Sequence, residues 1–201
     1  MIRRDATGAA RPTFGILLFD DVEVLDFAGP YEVLSEARDE RNAPCCTVVT
    51  VAPALDVTCR GGLGVHAARS LDDAPELELL VVPGGPGTRT EGAILDQLVE
   101  FVRAVHARGV HVASVCTGAF ILARAGVLNG LKATTHSAWM EELRTRHPLV
   151  HVVGEKVVDE GKVITSAGII SGVDLALHLV GRWFGTEARA RSAERLDGPW
   201  R

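Results

Sequence analysis

The chain has 201 residues, with 21 Lys and Arg against 26 Asp and Glu and a formal net charge of −5. That length suits one domain with a substantial core. Mild acidity without a basic stripe gives nucleic-acid binding no support, and no apolar run approaches the roughly 20 residues needed to span a bilayer.

Residues 1–12 lack the apolar centre of a secretory signal and are expected to form a flexible tail ahead of one domain over 13–201. Phe14-Gly15-Ile16-Leu17-Leu18-Phe19 is a short continuous apolar run, the pattern of a strand buried on both faces. Asp20-Asp21 breaks it. A helical segment follows through Gly29–Ala37, with Pro30 expected in its first turn. Cys46–Val51 and Leu77–Val82 read as further strands, the second stopped by Pro83-Gly84-Gly85-Pro86-Gly87. Ile94–His106 carries apolar residues at helical spacing, and Val110–Val115 is again β-branched and apolar. After a helix that starts near Gly118, Lys132–Thr135 and Lys162–Thr165 are short strand candidates, and a final helix is expected over Gly172–Phe184. Strands alternating with helices predict an α/β fold: a three-layer, flavodoxin-like sandwich with a mostly parallel sheet and helices on both faces. Ligands of such sheets bind at the carboxyl ends of the strands.

The four cysteines, Cys45, Cys46, Cys59 and Cys116, match no zinc spacing. A reduced, cytoplasmic protein with no metal or cofactor is the simplest expectation. Cys116 stands apart because it lies where an apolar strand turns sharply into a helix. Such an elbow lifts one side chain toward a cleft and sets sulfur beside free helix N–H groups, which is expected to favour thiolate. Gly84 and Gly85 follow a buried strand on the same edge, and glycine there permits close ligand approach. The Gly85 and Thr117 N–H groups are expected to form an oxyanion-hole-like pair.

Asp26 sits between Leu25 and Phe27. Two readings stand: a helix N-cap, or a carboxyl in an apolar cleft whose raised pKa lets it carry protons near neutrality. His136, after Thr134-Thr135, and Ser166, in Ser166-Ala167-Gly168, are candidates for a supporting shell.

These segments together resemble the ThiJ/PfpI superfamily, whose fold is like that of the class I glutamine amidotransferases. The resemblance rests on the Phe14–Phe19 strand, Leu25-Asp26-Phe27-Ala28-Gly29-Pro30, Val82-Pro83-Gly84-Gly85, Ser114-Val115-Cys116-Thr117-Gly118-Ala119, Ala133-Thr134-Thr135-His136 and Thr165-Ser166-Ala167-Gly168. Within the superfamily the chain looks like the isonitrile hydratases and the sensor half of AraC-type transcription regulators. Protease-like and glyoxalase-like members usually carry Cys-His at the elbow, where this chain has Thr117. Isonitrile hydratases often carry an aromatic after Thr-Thr-His; here that place holds Ser137, and Trp139 comes two later. No helix-turn-helix segment is expected after the last helix.

The resemblance implies an isonitrile hydratase-like lyase. Cys116 attacks the terminal isonitrile carbon, made electrophilic by protonation on the nitrogen side. Asp26 carries the protons, Gly84, Gly85 and Thr117 orient substrate or water, and a thioimidate on sulfur is hydrolysed to an N-substituted formamide. The alternatives are a non-enzymatic metabolite or redox sensor and an amidase- or deglycase-like hydrolase. A small-molecule substrate and a homodimer are expected as partners, the latter by resemblance alone.

Overall fold

A computed structural model describes residues 11–200. The expected tail therefore lies outside the described residues except for Arg11 and Pro12. In chain order the elements are β1 (Thr13–Leu17), α1 (Val24–Ser35), β2 (Thr47–Ala52), β3 (Asp56–Thr58), β4 (Gly64–His66), β5 (Arg69–Ser70), β6 (Leu79–Val82) and α2 (Ala93–Ala107). There follow β7 (His111–Val115), α3 (Gly118–Arg124), β8 (Lys132–Ala133), α4 (Met140–Arg146), β9 (His151–Val152), β10 (Val157–Asp159), β11 (Val163–Ser166), α5 (Ser171–Phe184) and α6 (Thr186–Arg195).

Seven strands form one sheet in the order β10-β11-β7-β6-β1-β2-β5. Every pair in it is parallel except β10–β11. The architecture is the expected mostly parallel α/β fold. Its central strand, β6, is Leu79-Leu80-Val81-Val82, and all four residues are fully buried. Only a strand covered on both faces can be apolar at consecutive positions. The helices fall into two packed groups, α1 with α5 and α2 with α3, both contacting the central strands. No helix among the described residues is long and apolar enough to cross a membrane.

Three details depart from the sequence reading. Helix α1 starts at Val24, so Pro30 lies in its interior and not in its first turn. Proline has no N–H for the carbonyl four residues back, and that residue is Asp26. The strand expected over Lys132–Thr135 is present but stops at Ala133, and it pairs with β9 in a separate two-stranded sheet. Helix α5 is followed by α6, whose buried face is Ala188, Ser192 and Ala193. Those side chains are too small to print an apolar period on the sequence, which is why Gly172–Phe184 read as the final helix.

Candidate active site

Strands β1, β6 and β7 are neighbours, and the chain leaving their carboxyl ends supplies the site. After β7 the backbone reverses at Cys116, which has φ 56°, left-handed and strained for a residue with a Cβ. The fold holds it there from several sides. Its N–H donates to the carbonyls of Ser166 (3.2 Å) and Ala167 (2.9 Å), and its own carbonyl accepts from Thr135 Oγ1 at 2.7 Å. Gly118 completes the turn: a Cβ there would meet the Val82 carbonyl at 2.1 Å, so only glycine lets the elbow close onto β6.

Asp26 approaches from the first turn of α1. Glu23 occupies the N-cap position and Asp26 makes no cap bond, so the cap reading fails. Instead Asp26 Oδ2 accepts from the Gly84 N–H at 2.9 Å, across to the loop after β6. The carboxyl is fully buried, and Cys116 is 6% exposed. Asp26 Oδ1 is buried without a well-formed partner. The Cys116 thiol nevertheless lies close enough to share a weak, poorly directed hydrogen bond with the carboxyl.

Burial dominates the electrostatics. It raises the Asp26 pKa from 3.8 to about 7, against the Gly84 N–H, which favours the carboxylate, and with help from the Glu23 charge. Burial, and then the Asp26 carboxylate, push the Cys116 thiol up to about 12. The expected resting thiolate is therefore corrected. Helix α3 has two turns and offers the sulfur one backbone N–H, that of Thr117, which is outweighed by desolvation and a neighbouring carboxylate.

The glycine loop also differs from expectation. The Gly85 N–H does not point open into a cleft; it donates to Thr117 Oγ1 at 2.9 Å. The Thr117 hydroxyl lies 3.3 Å from the Gly85 carbonyl, to which it donates. Thr117 N–H is thus the one member of the expected Gly85–Thr117 pair that faces sulfur. A Cβ on Gly84 would fall 2.6 Å from Thr117 N and 2.7 Å from Asp26 Oδ2, so glycine is what lets these three groups converge.

His136 and Ser166 are placed around this centre. The His136 ring lies against Gly168, and its Nδ1 accepts from the Ala138 N–H at 3.2 Å. Ser166 is buried and donates to the Ser114 carbonyl at 3.1 Å, tying β11 to β7 beneath the elbow. Sequence reasoning missed Thr135, whose hydroxyl anchors the Cys116 carbonyl; it lay inside the quoted Thr134-Thr135-His136 motif, but its partner is 19 positions away. It also missed Glu23 and Arg60, which form a 2.8 Å ion pair beside Asp26. Among the described residues no three His, Cys, Asp or Glu side chains converge as metal ligands.

A buried carboxyl beside a buried thiol, with backbone donors on both, can move a proton between oxygen and sulfur as sulfur bonds to an electrophile. Residues 14–182 match the profile of the DJ-1/PfpI family. An isonitrile hydratase of Pseudomonas putida is 35% identical over 175 residues, covering 86% of this chain and 72% of the relative. The HTH-type transcriptional regulator GbdR of Pseudomonas aeruginosa is 27% identical over 90% of this chain, which spans only 49% of that regulator. A ThiJ/PfpI family protein of Pseudomonas syringae superposes with a TM-score of 0.83 at 25% identity, covering 94% of this chain and 76% of its own.

Proposed function

The chain belongs to the DJ-1/PfpI family, and from that premise we propose that it is an isonitrile hydratase-like lyase. The observation that carries the proposal is the Asp26–Cys116 pair, buried together with no histidine beside the nucleophile. A formamide carries a C–H that the isonitrile lacks, so one proton must reach carbon; protonation on nitrogen alone would not give the product. Asp26, ionising near 7, takes the thiol proton as sulfur bonds to the isonitrile carbon and passes it to that carbon. Because burial, and then the neighbouring carboxylate, disfavour the free thiolate, proton transfer and attack proceed together. The result is a thioimidate, R–N=CH–S, on Cys116. Water then adds to that carbon. Asp26 accepts a proton from the water, nitrogen is protonated, and the C–S bond breaks with the proton returned to sulfur. R–NH–CHO leaves and the thiol is restored. Thr117 N–H, facing the sulfur, orients the adduct.

The test is formamide production from an alkyl or aryl isonitrile. Turnover is expected for the wild type and loss of it for Cys116→Ala; turnover retained by that variant would end the mechanism. A second reading, a metabolite sensor, is favoured by the match to regulators over 90% of this chain. Stoichiometric binding across an isonitrile panel without catalysis would favour it. Its redox form loses support, since a thiol pushed up to about 12 is a poor target for oxidation. By family resemblance we also propose a homodimer, for which light scattering of the purified protein is the check.

A further inference from the structure

We propose that Arg89, stacked on Trp139, is the carboxylate-recognising residue of this site, so that the substrate is an isonitrile bearing a carboxylate. The inference rests on the isonitrile reading above and adds the substrate class.

Arg89 follows the 3₁₀ turn Pro86–Thr88 that continues the glycine loop. Its guanidinium carbon lies 3.4 Å from the centroid of the Trp139 ring. Among the described residues the guanidinium makes no hydrogen bond or ion pair, and its Nε is buried without a partner. The acid nearest in sequence, Glu91, is already engaged by Arg124 (2.6 Å) and Arg146 (3.2 Å). In a chain with excess acid, a half-buried arginine left without a carboxylate is unusual, because an unmet buried donor is costly. Stacking fixes the plane of the fork and leaves its N–H edge for a bidentate oxyanion, which a carboxylate matches in shape and charge.

The stack also joins the two loops that hold the nucleophile. Gly85 holds Thr117 on one side of the elbow, and Thr135 holds the Cys116 carbonyl on the other. Arg89 lies four residues beyond Gly85 and Trp139 four residues beyond Thr135, each through a 3₁₀ turn. At about 2 Å of rise per residue, each step is about 8 Å, one small-molecule length. The Arg89–Trp139 contact therefore bridges the two loops that clasp Cys116. Without a ligand role the same contact would be a cation–π clip between the loops.

The experiment compares an isocyanoalkanoate with its methyl ester on wild type, Arg89→Met and Arg89→Lys. The readout is the ratio of kcat/KM for acid over ester. We expect the wild type to prefer the acid by roughly 10- to 100-fold, the range one charge-assisted pair supplies. The ratio should fall to near one in Arg89→Met, and Arg89→Lys should be intermediate, keeping charge but losing the fork. An unchanged ratio in Arg89→Met overturns the assignment and leaves the clip. If the wild type turns over neither compound, the isonitrile reading has failed, and Arg89 is judged by binding alone. Butyrate should then raise the melting temperature of the wild type and not of Arg89→Met; no response in the wild type overturns the proposal.

Discussion

Replacing Asp26 by Asn keeps the shape of the side chain and an oxygen for the Gly84 N–H, and removes the titratable proton. In the fold this carboxyl ionises near 7 in place of 3.8, chiefly because it is buried. At about 1.36 kcal/mol per pH unit, the ionised form carries a penalty of about 4 kcal/mol. That is a large share of the roughly 5–15 kcal/mol that holds a domain folded. Below about pH 4 Asp26 is protonated in both folded and unfolded chains, and the penalty is absent. As pH rises toward about 7 the folded chain holds the proton longer than the unfolded one, so stability falls; above about 7 the loss is complete. Asp26→Asn has no such slope. Its advantage over wild type should grow from near zero at about pH 4 to about 4 kcal/mol at about pH 8, read from urea unfolding at constant m-value. The same variant should lose about 10²- to 10⁴-fold in isonitrile turnover, the range of general acid–base catalysis. A stability difference that does not change over this pH range would refute the raised pKa. Full turnover by the variant would refute the proton-carrier role.

Gly84→Ala should destabilise the fold by about 1–3 kcal/mol in chemical denaturation, since its Cβ would press on Thr117 N and Oγ1 and Asp26 Oδ2, none of which is a flexible end. Its turnover should fall with it. Thr135→Val removes the bond to the Cys116 carbonyl at about 1–3 kcal/mol of stability, and because that bond restrains a left-handed residue, kcat should fall more than KM rises. Arg60→Gln frees the Glu23 carboxylate, whose charge already raises the Asp26 pKa. The acid limb of the kcat/KM profile should move to higher pH, with the effect shrinking as salt is added.

Much of the fold is legible in the sequence because its central strands are covered on both faces. Phe14–Leu17, Leu79–Val82 and Val112–Val115 are apolar at nearly every position, and their shortness and flanking turn residues mark them as strands covered on both faces. The elbow is legible for a related reason: at Cys-Thr-Gly a β-branched run gives way to small and aliphatic residues that suit a helix, so the chain must turn there. What failed to show was whatever depends on small or polar side chains. Helix α6 buries alanine and serine, β3 and β4 form a short, largely exposed two-stranded sheet, and β5 is a two-residue edge strand, so none prints a period.

The sequence by itself determined which residues come to the carboxyl edge of the sheet. Strand order and the glycines after β6 and β7 bring Asp26, Gly84 and Cys116 together, and the segments that carry them are recognisable in one dimension. Only the tertiary structure decided their chemistry. Asp26 could equally cap its helix or face the thiol until the Gly84 N–H meets it from a loop 58 positions away. Whether the sulfur rested as thiolate turned on desolvation, a property of everything packed around it. Which N–H groups were open turned on the Thr117 hydroxyl reaching Gly85. Burial and long-range hydrogen bonds set protonation, and neither is written in local order along the chain.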